Sequence, residues 1–206
     1  MGGGALESAL RDRAGELRLI ETLLWDGTQF PRLALHQARL ERSAAALGWP
    51  AAPPIRVADL PDQPQRVRVT LDRAGRMRVE QDALPKPKPE WRLALATPRL
   101  DPSDPWLRLK STHRALYDQA RASLPAGIDE VIFRNTRDEV CEGAITTLFF
   151  DRGQGLRTPP LSSGLLPGVL RAELAAPEQI LLARDLPHVR LWVGNALRGL
   201  IAARLA

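Results

Sequence analysis

Lysine is scarce in this chain, and one lysine stands where amine chemistry could use it. Of the 29 basic residues only Lys86, Lys88 and Lys110 are lysines. Lys86 and Lys88 alternate with prolines in Pro85-Lys86-Pro87-Lys88-Pro89, an exposed polyproline pattern. Lys110 lies in Trp106-Leu107-Arg108-Leu109-Lys110-Ser111-Thr112-His113-Arg114, where apolar and polar residues alternate as in a half-buried strand. A guanidinium stays charged and cannot attack a carbonyl, whereas an amine that loses its proton can. Schiff-base chemistry in this chain therefore has to run through Lys110. Three other places could serve such a centre. Glu142 opens a carboxylate-glycine step before an apolar strand. Pro167-Gly168-Val169-Leu170-Arg171 presents backbone N–H groups at a helix start, where the helix dipole favours an anion. Arg39 offers a fork-shaped cation suited to a phosphate.

The elements that must position these residues are legible in part. Leu17–Trp25, Asp26-Gly27 and Thr28–Leu33 read as a β-hairpin, because Asp-Gly between apolar runs is a strong turn signal. Leu33, His36, Leu40, Ala44 and Leu47 then fall at helical spacing, with Arg39 and Arg42 beside the stripe and Gly48 and Pro50 at its end. Arg66–Leu71 and Met77–Glu80 read as a second hairpin around Arg73-Ala74-Gly75, and Trp91–Ala96 as a strand. Pro98–Pro105, with three prolines, reads as a linker between two halves. Beyond it, Arg114–Ala122 reads as a helix, and Glu130–Arg134 with Glu139–Glu142 as a hairpin. Thr146–Phe150 reads as a strand, and Leu165–Arg171 as a loop entering a helix that runs to Ala175. Ile180–Ala183, Val189–Val193 and Leu200–Arg204 read as late strands.

Composition narrows the function classes. At 206 residues and 44% hydrophobic content the chain can bury a substantial core. No apolar run is long enough for a membrane span. Met1-Gly2-Gly3-Gly4-Ala5 carries no basic region ahead of an apolar stretch, so no signal peptide is expected, and its glycines suggest a flexible end. One cysteine, Cys141, excludes an internal disulfide and suits a reducing cytoplasm. Three histidines and one cysteine show no metal-ligand spacing. The formal charge of +5 comes from arginines scattered among acids, with few aromatics to stack bases, which favours small anionic ligands over nucleic acid.

Taken in order, Ile20-Glu21-Thr22-Leu23-Leu24, His36-Gln37-Ala38-Arg39-Leu40, Lys110-Ser111-Thr112-His113-Arg114, Glu142-Gly143 with its following strand, Leu165–Arg171 and Gly194-Asn195-Ala196-Leu197-Arg198-Gly199-Leu200 resemble one family. It is the fold-type IV family of pyridoxal-phosphate enzymes, the class IV aminotransferases. Branched-chain aminotransferase, D-amino-acid aminotransferase and aminodeoxychorismate lyase belong to it. The resemblance covers most of the chain from Leu17 onward. It implies an α+β protein: a small α+β N-terminal domain over 1–97, the Pro-rich linker over 98–106, and a β-rich, barrel-like cofactor domain with flanking helices over 107–206.

The resemblance also implies roles. The cofactor would be pyridoxal 5′-phosphate, joined to Lys110 as an internal aldimine, and Lys110 would then shuttle protons. Glu142 would accept a hydrogen bond from the pyridine nitrogen. Arg39 would pair with the phosphate, Val169 and Leu170 would donate their backbone N–H groups to it, and Asn195 would also contact it. Gly168 lets the backbone come close, and Leu166 would pack on the ring face. The chain departs from many members in carrying Thr147 where asparagine is common and in having Tyr117 as its only tyrosine. Arg108, His113, Arg114 and Arg198 are unranked candidates for the substrate carboxylates. The compact N-terminal half and the Gly194–Leu200 segment look most like the aminodeoxychorismate lyase branch. That reading implies pyruvate and 4-aminobenzoate as products from a small anionic amine, a homodimer, and a link to an aminobenzoate synthase. The alternative within the family is an aminotransferase acting on a branched-chain or D-amino acid.

Overall fold

The computed structural model describes residues 17–206. The two expectations for the opening residues, no signal peptide and a flexible end, lie outside the described residues. By contacts the described residues divide into two units, 17–85 with 109–113, and 86–108 with 114–206. This division differs from the expected boundary at 97/98: residues 86–97 go with the second unit, and a five-residue segment holding Lys110 goes with the first.

The first unit is built on a three-stranded antiparallel sheet in the order β1-β2-β3, with β1 at Arg18–Trp25, β2 at Gln65–Asp72 and β3 at Met77–Ala83. β1 pairs with β2 from Arg18↔Asp72 to Trp25↔Gln65. The hairpin expected at Asp26-Gly27 does not form. Asp26 turns its carboxylate onto the backbone instead, accepting the N–H groups of Thr28 and Gln29 at 2.8 Å each. This Asx turn ends the strand and feeds helix α1, Leu33–Ala46. The strand partner lies forty residues on, beyond the reach of local turn rules. α1 buries His36, Arg39, Leu40, Ser43 and Ala44, one face of a 3.6-residue period. β3 is exposed nearly throughout, and the charged residues Arg78, Glu80 and Asp82 protect this edge from pairing with other chains.

In the second unit six strands close a barrel in the order β4-β5-β6-β7-β8-β9. These are Glu90–Leu100, Glu130–Asn135, Val140–Gly143, Thr147–Asp151, Arg190–Asn195 and Gly199–Leu205. β4 runs parallel to both β5 and β9, and the other neighbours are antiparallel. The linker expected at 98–106 is in part this strand. The β4–β5 register shifts between Leu95 and Arg99, where Pro98 has no N–H to give the ladder. Asp101 then turns the chain by accepting Ser103 N at 2.9 Å. The strand expected at Ile180–Ala183 makes one bridge, Glu139↔Leu182, before a 3-10 turn over Ala183–His188. Helix α2, Ala115–Ala122, and helix α3, Val169–Leu174, belong to this unit. Leu93, Ile132, Leu148, Phe150, Leu181 and Val193 are all fully buried in one cluster. Phe133, Leu165 and Cys141 centre a second cluster, which α2 joins through Tyr117 and Ala120. Among the described residues no helix is long and apolar enough to cross a membrane.

The β8–β9 hairpin gives a direct test of packing. A Cβ on Gly194 would stand 2.6 Å from Leu170 Cδ2 and would also meet the Gly199 carbonyl. Gly199 has φ +68 but open space around it. Gly194→Ala is expected to cost about 1–3 kcal/mol through overpacking. Gly199→Ala should cost about 1–2 kcal/mol through left-handed strain alone. Urea unfolding midpoints check both; an unchanged midpoint for Gly194→Ala would show that the hairpin yields freely.

Candidate active site

Lys110 is held by backbone bonds to β1. Ile20 N donates to Lys110 O at 2.8 Å and Thr112 N to Arg18 O at 2.9 Å, with an antiparallel bridge between Leu19 and Ser111. The strand expected around Lys110 is thus a short edge segment beside β1, and Arg18 N donates to Thr112 Oγ1 at 3.0 Å to close it. Lys110 itself is half-buried.

Behind β1, in the same unit, lies a buried charge cluster. Glu21, Arg39 and His36 are 1%, 4% and 1% exposed. Arg39 Nε donates to Glu21 Oε1 at 2.8 Å, and Arg39 Nη2 donates to Glu21 Oε2. His36 Nδ1 lies 2.6 Å from Glu21 Oε2. Burial alone would raise the Glu21 carboxyl, but the Arg39 charge and the hydrogen bonds from Arg39 and His36 outweigh it and hold it down at about 2. Burial lowers His36; Glu21 opposes this, while the positive charges of Arg39 and Lys110 add to it. Burial thus favours the neutral imidazole, and among the described residues its buried Nε2 has no hydrogen-bond partner. Arg39, expected to pair with a phosphate, is fixed side-on by Glu21 through Nε and Nη2. Sequence reasoning assigned no role to Glu21 or His36, although both lie in the motifs that carry the resemblance. The signal was there: His36 and Arg39 are three apart on the buried face of α1 and need an anion.

The second unit holds the other expected residues. Glu142, on β6, is 7% exposed. Tyr117 OH donates to Glu142 Oε1 at 2.9 Å, and Leu166 N donates to Glu142 Oε2 at 3.2 Å. Gly143, next to it, has no room for a side chain: a Cβ would meet Glu130 Oε2 at 2.8 Å. Glu130 is itself fully buried and accepts Ile145 N at 3.1 Å and Thr146 Oγ1 at 3.0 Å, which fixes the turn after Glu142.

Val169 and Leu170 begin α3 behind Gly168, which makes no side-chain cap. The first intrahelical bond runs from Ala172 N to Gly168 O, so the N–H groups of Val169 and Leu170 have no acceptor within the helix. A Cβ on Gly168 would lie 2.7 Å from Thr147 Oγ1, so the glycine and the hydroxyl face each other closely. Arg171 anchors the helix through Thr158 Oγ1 at 2.7 Å and through Glu178. Asn195 sits in the β8–β9 turn. Its Oδ1 accepts Leu197 N and Arg198 N at 3.1 and 3.0 Å, and its Nδ2 donates to Ile145 O at 3.1 Å. Of the carboxylate candidates, Arg114 bonds Asp118 and Ala144 O, and Arg198 stacks over Trp91 at 5.5 Å. Arg108 ends a 3-10 turn in this unit, and His113 is exposed in the first. The expected residues thus fall into two groups: Lys110 and Arg39 in the first unit, and Glu142, Leu166, Val169, Leu170 and Asn195 in the second.

Residues 18–205 match the family described as amino-transferase class IV. The chain belongs to this family. It is therefore an enzyme of the class IV group, and the α+β fold with a closed six-stranded barrel is the family's. A Schizosaccharomyces pombe protein provisionally named an aminodeoxychorismate lyase is 32% identical over 170 residues, 77% of this chain and 73% of that protein. A Mesorhizobium loti structure, provisionally named an amino-acid aminotransferase, superposes with a TM-score of 0.87 at 43% identity, covering 93% of this chain and all of that one. A Legionella pneumophila structure provisionally named a 4-amino-4-deoxychorismate lyase gives a TM-score of 0.78 at 22% identity, over 91% and 82% of the two chains, a likeness of fold.

The Glu21 cluster makes a pH prediction. Its folded-state pKa lies below the ordinary 4.5, so its stabilisation is complete above that value and is lost as pH falls towards about 2. The loss should reach about 3 kcal/mol. Glu21→Gln should cost about 3–5 kcal/mol at neutral pH, because it leaves Arg39 buried without its anion. That variant should also lose the acid-dependent slope that Glu21 contributes. Urea unfolding at pH 6 and pH 3 checks this; equal slopes in the two proteins would refute it.

Proposed function

We propose that this chain is a pyridoxal-phosphate-dependent 4-amino-4-deoxychorismate lyase, releasing pyruvate and 4-aminobenzoate. The observation that carries the reading is Lys110, the one lysine outside the polyproline segment, held against β1 in a chain of the class IV family. Pyridoxal phosphate suits the residues present: a buried carboxylate at Glu142, uncapped N–H groups at Val169 and Leu170, and Gly168 with no side chain to obstruct an approach. When bound, the cofactor would supply the electron sink for breaking a C–H bond at an amine-bearing carbon.

The chain's own groups then divide the work. Lys110 would supply the amine that holds the cofactor, and its Nζ, once freed, would take the proton from that carbon. Glu142 would accept a hydrogen bond from the ring nitrogen. Arg39 and the N–H groups of Val169 and Leu170 would hold the phosphate, with Asn195 bracing its own turn, and Leu166 would lie against the ring. In the substrate, the C–H electrons would form a ring double bond, the bond from the ring to the ether oxygen would break, and the enolate of pyruvate would leave with that oxygen and take up a proton to become pyruvate. Aromatisation makes the step irreversible. The +5 formal charge suits a substrate bearing carboxylates. We take the working form to be a homodimer, supplied with substrate by an aminobenzoate synthase.

The Schizosaccharomyces pombe relative supports the lyase. The Mesorhizobium loti protein, at 43% identity, favours an aminotransferase as the second reading. There Lys110 would return the proton to a carbon of the cofactor, and a keto acid would leave.

An end-point assay separates the two. With substrate generated in place, holoenzyme should give pyruvate and 4-aminobenzoate in equal amounts, and Lys110→Ala should reduce both by at least about 1000-fold. A cofactor-loaded enzyme that gives neither product, yet converts an amino donor and a keto acid, would replace the lyase with the aminotransferase.

A further inference from the structure

Tyr117 is the only tyrosine in the chain, and its hydroxyl is spent on Glu142. The ring is half-buried, edge-on against Phe133 with centroids 4.9 Å apart, and the Arg114 guanidinium lies 5.7 Å over its face. Arg114 is in turn tied to Ala144 O at 3.1 Å, two residues beyond Glu142. The phenol is thus held from three sides while it donates to Glu142 Oε1 at 2.9 Å. Leu166 N takes the other oxygen, Oε2, at 3.2 Å. Two donors on two different oxygens fix both the position and the plane of the carboxylate. Burial first, and the Glu142 charge second, push the phenol's ionisation far up, with Cys141 adding to this and Arg114 opposing it. Tyr117 therefore remains a protonated donor throughout the working pH range, and Glu142 remains the acceptor.

We infer that Tyr117 is a positioning residue, whose hydroxyl aims and holds the Glu142 carboxylate for the pyridine nitrogen of the cofactor. The inference rests on the reading of Glu142 given under Proposed function. It joins two of the cofactor contacts, because the Leu166 backbone that grips Oε2 also carries the side chain expected on the ring face. It also explains why the helix that follows the lysine segment carries an aromatic hydroxyl: the carboxylate needs a donor that cannot itself ionise.

The test is a double-mutant cycle read by cofactor binding. Apoprotein of wild type, Tyr117→Phe, Glu142→Gln and the double variant is titrated with pyridoxal 5′-phosphate, following the visible band. Tyr117→Phe keeps the ring and loses only the hydroxyl. It should raise the dissociation constant about tenfold, the worth of one hydrogen bond to a charged group. In the Glu142→Gln background the same substitution should change nothing further. Equal weakening in both backgrounds would mark a merely structural role and overturn the inference, as would wild-type affinity in Tyr117→Phe. A wild type that forms no band would instead overturn the cofactor reading, so the two failures are distinct. Where Tyr117→Phe does not fold, 3-fluorotyrosine incorporation reports on residue 117 alone. Its single fluorine resonance should move on adding pyridoxal 5′-phosphate and should be displaced in Glu142→Gln. A resonance indifferent to both, in protein that forms the band, would overturn the inference.

Discussion

Two backbone hydrogen bonds decide where Lys110 stands: Ile20 N to Lys110 O, and Thr112 N to Arg18 O. The chain leaves the barrel unit after Arg108, gives five residues to the sheet of the first unit, and returns at Arg114. Side-chain contacts alone would leave a lysine with four rotatable bonds poorly placed. Strand pairing removes the backbone freedom of the whole segment at once and sets the face on which each residue lies. The segment can pair there because β1 is the edge strand of the three-stranded sheet, with β2 on its other side, so the pairing covers that edge. Leu19, Ile20 and Leu23 are accordingly buried almost completely.

That burial makes the charges beside β1 expensive, and the fold handles its buried carboxylates in different ways. Glu21 is compensated by a full cation, with a histidine as a second hydrogen-bonding partner. Glu142 accepts the Tyr117 hydroxyl and the Leu166 N–H. Glu130 accepts backbone and hydroxyl groups, with Arg121 at 3.7 Å, and burial still raises its pKa. Arginine fastens Glu21, whereas backbone and hydroxyl donors aim the carboxylates of Glu130 and Glu142.

Much of this was legible in the sequence, where the signal was local. The stripe from His36 to Ala44, the Arg73-Ala74-Gly75 hairpin and the Glu130–Glu142 hairpin are set by period and turn chemistry over a few residues. Asp26-Gly27 misled because the same dipeptide serves either a hairpin or an Asx turn, and the choice depended on β2, forty residues away. Pro98 read as a linker because a proline ends most strands; a register shift in an otherwise intact β4 accommodates it. The unit boundary was hidden because residues 109–113 belong to the first unit through pairing, which no compositional change marks. Lys110, Glu142 and the Gly168 turn stood out by type. Glu21, His36 and Tyr117 did not, because each matters through a partner distant in sequence: fifteen residues for Glu21 and His36, twenty-five for Tyr117 and Glu142.

The arginine bias of the chain finally explains why its lysine is so conspicuous. Arg39 grips both oxygens of Glu21, Arg114 reaches Asp118 and Ala144 O together, and Arg171 joins Thr158 to Glu178. Each use depends on several donors in one rigid plane, which an ammonium group lacks. The two polyproline lysines do nothing that requires an amine: Lys86 is exposed, and Lys88 meets Asp129 at the surface. Where a fork of donors is needed, arginine serves. At residue 110, half shielded from water beside β1, the role proposed above requires a group that can give up its proton and become a nucleophile, which an amine can do and a guanidinium cannot.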